Sequence, residues 1–348
     1  MDMSSKSLRI MLVGTPANTC TLESSYKSAL DSLGHEVLGF DMPLAIRRSC
    51  RFGRVGREFN RYLPVDAWTK KANRSMVTTA IDFAPDMVII CGSSLVYPGA
   101  LAQVRASIGS YLVLLWPDTL LNLGIHSIAC LPLYDLVATY SKSTVEGLRT
   151  MGARSIKWVP LGGDPLLHSP APLTGSESAK YRADVSFIGG WRPEREKVLS
   201  EFKGLDLKIW GPDWGRRCRR NTVIMDSWQG RPALGQEFSK VVTASKINLN
   251  IIDPTNFPAA NMRFFEIPTA GGLQLSSQCP EMENDFRHGV HIFYYRDSKD
   301  LREHVNYLLA NPDVCGKVAE AGRTRVLGAH TYTARISAIL DSCGSQLT

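Results

Sequence analysis

No two cysteines in this 348-residue chain lie close enough to form a CxxC pair. The eight thiols, at 20, 50, 91, 130, 218, 279, 315 and 343, are dispersed. Zinc sites and redox couples need tight spacing, so buried, reduced cysteines are expected. His288 and His291 stand one turn apart but outside any HExxH context, and they read as a structural or surface pair. An acidic DxD clamp is also missing, and no metal ligation is expected. The longest apolar runs, such as YLVLLWP, fall far short of the ~20 residues that cross a bilayer. The leading MDMSSKSLRIMLVG passes from polar residues straight into a strand-like run and lacks the pattern of a secretory signal. A soluble, cytoplasmic protein without low-complexity tracts is the expectation.

What is present is an ordinary globular composition, 44% hydrophobic and 21% charged, over a length suited to two domains. The net charge of +7 and a pI of about 9.0 suit nucleic acid, an anionic membrane surface or phosphorylated small molecules. Residues 47–74, RRSCRFGRVGREFNRYLPVDAWTKKANR, carry nine Arg/Lys against two acids. Two readings stand for this stretch: a solvated helix-loop segment, or a docking surface for an acidic acceptor or peripheral membrane contact. Nucleic acid is not an expected partner, since no recognition motif or stacking platform accompanies the charge.

Strand-like apolar runs alternate with helical stretches from the start: 8–14, 35–41, 85–92, 111–118, 134–141 and 155–162, with a helix at 21–34. Near-continuous aliphatic runs between helices are what a parallel sheet covered on both faces requires. Residues 163–182, rich in Pro, Gly, Ser and Thr, break the periodicity and read as a linker. The alternation restarts with strands at 184–190, 205–211, 245–252, 271–277 and 291–295 and a helix at 194–202. From Ser298 the pattern is helical throughout, interrupted at Asn311-Pro312. The expected fold is α/β, with two Rossmann-like doubly wound domains facing across a cleft. Their boundaries are an acceptor-side domain at 1–162, the linker, a donor-binding domain at 183–325, and a C-terminal helix at 326–348 that packs back on the first domain. Ligands in such sheets collect at the carboxyl ends of the strands.

Two stretches of the second domain carry chemistry. The run DVSFIGG ends in Gly189-Gly190 ahead of a helix at or just after Pro193, a turn at which phosphate can approach the backbone. Arg192 adds a candidate charge-assisted contact. In NMRFFEIPTAGG, helical spacing puts Arg263 and Glu266 on one face while Phe264 and Ile267 turn inward. Gly271-Gly272 stop that helix. Glu266 suits two ribose hydroxyls and Arg263 a diphosphate; a surface ion pair is the bland alternative.

In type and order, the strand-Gly-Gly start, LKIWGPDW, SKINLNI, NMRFFEIPTAGG and HTYTARISAIL resemble the donor half of GT-B glycosyltransferases. The CgeB-like, spore-maturation-type group, related to glycosyltransferase families 1 and 4, is the most similar. YLVLLWPDT and YDLVATYSKSTVEGLRTMGARSIKWVPLGGDP resemble its acceptor half. The resemblance implies a nucleotide-sugar-dependent transferase with Glu266 on the ribose and Gly211 in the donor site. It places Trp228, Gly230 and Arg231 near the nucleobase, and makes Asn261 and Arg263 candidates for diphosphate or sugar contacts. Retaining members carry a second glutamate eight positions before the first; here Pro258 stands in its place. GRRCRR (215–220) reads as solvated surface.

In such enzymes helix N-termini and Arg/Lys side chains stabilise the departing diphosphate without an obligatory metal or cofactor. The acceptor is a glycan, lipid, protein or small molecule, and its hydroxyl needs a base. Asp118, at the end of LVLLWPD, is the first candidate, with His126 and Asp135 as alternatives. Capping after Pro117 is the competing reading of Asp118. Gly14, at the end of the first strand run, is expected to line the acceptor side. A nucleotide-sugar epimerase of the same fold, or a nucleotide-binding protein with a degenerate transferase site, would share these features.

Overall fold

The computed structural model describes residues 7–92 and 94–344; the first six and last four residues, inside the sequence-read domain bounds, lie outside it. Two compact units result, Met1–Pro160 with Tyr332–Thr348, and Leu161–Thr331.

The first unit contains β1 (Arg9–Gly14), α1 (Leu22–Ser32), β2 (Glu36–Asp41), α2 (Met42–Ser49), α3 (Gly53–Tyr62), α4 (Asp66–Phe83) and β3 (Met87–Cys91). It continues through α5 (Pro98–Ile108), β4 (Tyr111–Trp116), α6 (Ile125–Cys130), β5 (Leu136–Thr139), α7 (Val145–Thr150) and β6 (Ile156–Trp158). The six strands are ordered β2-β1-β3-β4-β5-β6, and every pair is parallel. β1, β3 and β4 are buried almost end to end, because helices cover both faces.

The second unit contains α8 (Gly175–Tyr181), β7 (Ala183–Ile188), α9 (Pro193–Leu199), β8 (Leu207–Trp210), α10 (Trp214–Arg217), α11 (Thr222–Ser227), α12 (Gln236–Ala244) and β9 (Ser245–Asn250). α13 (Arg263–Thr269), β10 (Gln274–Ser277), β11 (Phe293–Tyr295), α14 (Ser298–Ala310) and α15 (Pro312–Ala329) follow. Its five parallel strands run β11-β10-β9-β7-β8. In both sheets the winding direction reverses beside the first strand, between β1 and β3 and between β7 and β9. Doubly wound sheets bind ligands at that reversal.

The division of the chain differs from the one read in the sequence. Residues 163–182 belong to the second unit: Gly163 pairs with Thr331, and Thr174 and Glu177 form a capping box that starts α8. A Pro/Ser-rich composition hid a capped helix. At the other end, α15 carries the second unit to Thr331, so a boundary at 325 would cut a helix. Only α16 (Tyr332–Cys343) returns to the first unit, where Tyr332 meets Tyr26 edge-on at 5.2 Å. Ile336, Ile339 and Cys343 are buried on the sheet face that α1 also covers.

All eight cysteines are free, five of them buried. Burial pushes the Cys130 and Cys279 thiols up to about 12, which leaves them protonated and inert. Among the described residues no helix is long and apolar enough to cross a membrane.

Candidate functional site

The carboxyl end of β7 is held open by close backbone packing. The Gly211 backbone passes so near the Gly189 carbonyl that a Cβ at 211 would sit 1.9 Å from that oxygen. Gly189 in turn has the Phe187 ring beneath it and accepts a hydrogen bond from Trp214 Nε1 at 2.9 Å. Gly190 has no such neighbour: a Cβ there would find only Pro212, at 3.5 Å.

Three arginines converge on this turn. Arg263 Nε donates to the Ile188 carbonyl at 3.1 Å, and Arg195 Nη1 donates to the Gly190 carbonyl at 2.9 Å. Arg192, mostly exposed, reaches Asp253 at 3.1 Å. Burial lowers the Arg195 pKa; Asp253 opposes the shift, and the neighbouring Arg192 and Arg263 add to it. Burial raises the Asp253 pKa, but hydrogen bonds from Thr255 and Arg192 outweigh it and leave the carboxyl below its usual range. Arg195 was not singled out in the sequence, where PEREKVL reads as a solvent-facing helix. Among the described residues its buried Nε has no hydrogen-bond partner. α9 itself is only seven residues long, so the positive charge here comes from side chains more than from a helix end.

Arg263 and Glu266 form an ion pair with each other, the two side chains being 27% and 4% exposed. The Arg263 guanidinium also lies over the Phe238 ring, 4.7 Å from its centre. Phe264 and Ile267 turn inward as the spacing predicts. Asn261 exchanges amide hydrogen bonds with Asn250, at the end of β9, and accepts from the Phe264 N–H at 3.1 Å. Asn261, Arg263 and Glu266 are thereby fixed beside the β7–β9 reversal.

His168 joins them from the stretch read as linker, which is why sequence reasoning missed it. It is buried, packs edge-on to Phe238 at 4.8 Å, and senses the charges of Glu266, Arg263 and Asp164. Burial pulls its pKa down; Glu266 and Asp164 resist, and Arg263 assists. His35, His288 and His291 are lowered by burial too. For a histidine held neutral in the fold, the unfolded chain takes up protons first. Stability is therefore full above the ordinary pKa of about 6.5 and falls as pH drops from there toward the native pKa. Urea midpoints at pH 7.5 and 5.5 are expected to differ in the natural protein and to differ less in His168→Phe.

Other predicted residues have structural partners. Trp228 Nε1 donates to the Gly211 carbonyl at 3.0 Å, and its ring fills the space beside Gly215. Arg231 makes a two-pronged ion pair with Glu237, while Gly230 sits exposed beside it. Glycine at 271 and 272 is explained by packing, since Cβ atoms there would press on Pro170 and on Val242 and Asn248. His288 and His291 each accept a backbone N–H through Nδ1 and are structural.

In the first unit, Gly14 ends β1, with Glu23 and Cys91 where its Cβ would be. Asp118 follows β4, and its two oxygens accept from the Thr119 N–H and Asn122 Nδ2, each at 2.7 Å. His126, on α6, stacks on Tyr97 at 4.3 Å and lines a cavity of about 550 Å³ with Asp66, Lys70, Arg74 and Gln103. Asp135 is displaced from any such role. It precedes β5 at the amino edge of the sheet, bonded to Arg105 and the Leu112 N–H.

The fold matches solved structures along nearly its whole length. HepE of Anabaena, crystallised with UDP-glucose, shares 13% identity at a TM-score of 0.67, over 97% of this chain and 100% of its own. Sucrose-phosphate synthase of Thermosynechococcus elongatus aligns at 12% identity and a TM-score of 0.68, over 97% and 100%. A glycosyltransferase of Rickettsia africae aligns at 13% and 0.69, covering 99% of each chain. No curated protein sequence matches. The two parallel-sheet units therefore have the GT-B fold. Residues 194–341 match the family model described as glycosyl transferase-like. The matched domain is glycosyl transferase-like, and the fold is that of solved glycosyltransferases.

Proposed function

We propose that the protein transfers a sugar from a nucleoside-diphosphate sugar to an acceptor hydroxyl without a metal, as a member of the CgeB-like group. The observation that carries this reading is the convergence of Arg192, Arg195 and Arg263 on the Gly189-Gly190 turn beside buried Glu266. Asp253, Glu266 and Glu194 oppose the three cations, and a diphosphate would find the guanidiniums already gathered at the turn. Fixed guanidiniums stabilise charge that grows on a leaving group, because they are already oriented when it forms. A structural neighbour's complex with UDP-glucose supports the donor class.

In the reaction, the acceptor oxygen bonds to the anomeric carbon as the bond from that carbon to the diphosphate oxygen breaks. The electron pair leaves with the diphosphate, where the arginines receive it. The acceptor proton passes to a base, for which Asp118 and His126 are the proposed groups. The second carboxylate oxygen of Glu266 is proposed to accept from the ribose hydroxyls while the first holds Arg263.

The test is calorimetric titration with UDP, GDP and dTDP. One of them is expected to bind. Binding should weaken about 10- to 100-fold in Arg195→Met, the worth of one charge-assisted hydrogen bond. Gly190→Ala should fold normally, given its 3.5 Å clearance, yet bind poorly. EDTA should leave transfer unchanged. If the natural protein, natively folded, binds none of the three, the proposal fails.

A further inference from the structure

α3 is amphipathic in the wrong sense for a soluble helix. Its residues GRVGREFNRY bury only Gly56, whose backbone crosses so near the Arg51 carbonyl that a Cβ would lie 1.7 Å from its oxygen. Phe52 is 82% exposed, Val55 76% and Tyr62 76%, and Phe59 and Leu63 are more than half exposed. At 100° per residue Val55, Phe59 and Tyr62 fall within an arc of about 60°, and Phe52 and Leu63 flank the helix at its two ends. Arg54, Arg57 and Arg61 occupy the opposite side. A helix on a globular surface normally turns such a stripe toward the core. Here none of the described residues covers it.

The surrounding charge says what does. Arg47 and Arg48 end α2, Arg51 precedes α3, and Lys70, Lys71 and Arg74 lie on α4, all exposed. Of these nine cations only Lys70 has a carboxylate within ion-pair distance among the described residues, its neighbour Asp66. The occupant must therefore be apolar beneath the stripe and anionic around it. A second copy of the chain would set arginine against arginine. A nucleic acid would leave the aliphatic part of the stripe without a contact. A bilayer bearing acidic headgroups meets both demands: aromatic and aliphatic side chains enter the acyl boundary while arginine stems lie along it and hold their charges at the phosphates.

We propose that α3 is an interfacial helix that docks the first unit on an anionic lipid surface. The proposal does not rest on the donor reading, because no residue of α3 belongs to the donor site, although Lys70 and Arg74 on α4 also line the cavity beside His126.

The test is co-sedimentation of the full chain with vesicles of phosphatidylcholine alone or with 30% phosphatidylserine. Binding to the anionic vesicles is expected to exceed binding to the neutral ones at least tenfold and to weaken with salt. The triple variant Phe52→Ser, Phe59→Ser, Tyr62→Ser, altered only at exposed positions, should lose at least tenfold. Arg54→Glu, Arg57→Glu, Arg61→Glu should lose the preference for acidic lipid. A Phe59→Trp reporter should shift its emission to the blue on anionic vesicles. Three results overturn the proposal. One is natural protein left in the supernatant at low salt. Another is unchanged binding by the serine variant, which would reduce the surface to charge alone. The third is a dimer in solution that the serine variant dissolves, which would make a second copy the occupant.

Discussion

Arg263→Ala is expected to destabilise the second unit by about 3–5 kcal/mol, the usual cost of stranding one partner of a buried ion pair. The lower end applies, because Arg263 is itself about a quarter exposed. Glu266, at 4% side-chain exposure, would lose the cation that compensates its desolvation. Phe238 would lose the guanidinium above it, and the Ile188 carbonyl its donor. Glu266→Gln keeps the volume and an acceptor, so it should cost much less stability. The two variants should differ in the opposite sense in nucleotide titrations read on their folded fractions. Arg263→Ala should weaken the response to inorganic diphosphate, and Glu266→Gln should leave diphosphate alone while weakening the whole nucleotide. Equal losses in both variants for both ligands would show that the pair acts only as structural cement.

Removing α16 is expected to cost more. Tyr332, Ile336, Ile339 and Cys343 are buried against the sheet face that carries Leu8, Ile10, Leu12 and Met87. Burying an aliphatic or aromatic side chain is worth about 1.5–3 kcal/mol, so Tyr332, Ile336 and Ile339 alone supply on the order of 5–9 kcal/mol. Domains are stable by only about 5–15 kcal/mol. A chain ending at Thr331 should therefore lose amide protection in β1 to β6 while the second unit, whose own elements are intact, keeps it. Ile336→Ala in the full chain, at about 2–5 kcal/mol, is the milder version. Hydrogen exchange read by peptide mass spectrometry separates the units. Protection that persists in β1 and β3 of the truncated chain would refute the assignment of α16 to that face.

Much of the scaffold was legible because parallel strands covered on both faces leave long aliphatic runs. LRIMLVG, MVIIC and YLVLLW can hardly be anything else. Strand order was not legible, since the same runs could pair in several ways. Arg263 and Glu266 stood out because charge is rare amid phenylalanines. Arg195 did not, because its half-burial comes from Phe187 and the Gly190 turn, which only the fold brings together. His168 was hidden by the proline-rich composition around it. Arg231 reads as a ligand contact until Glu237, six residues on, is seen to hold it. In α3 the sequence displayed the arginines, but the exposure of the stripe between them is a tertiary fact.

The return of α16 also has a consequence for synthesis. On the ribosome, Met1–Pro160 emerges first, yet the helix that seals one side of its sheet follows only after all of Leu161–Thr331 has been translated. Through that interval the face containing Ile10, Leu12 and Ile89 has only α1 to cover it. The later half, threaded between the two pieces of its neighbour, can reach its native state before the first is finished.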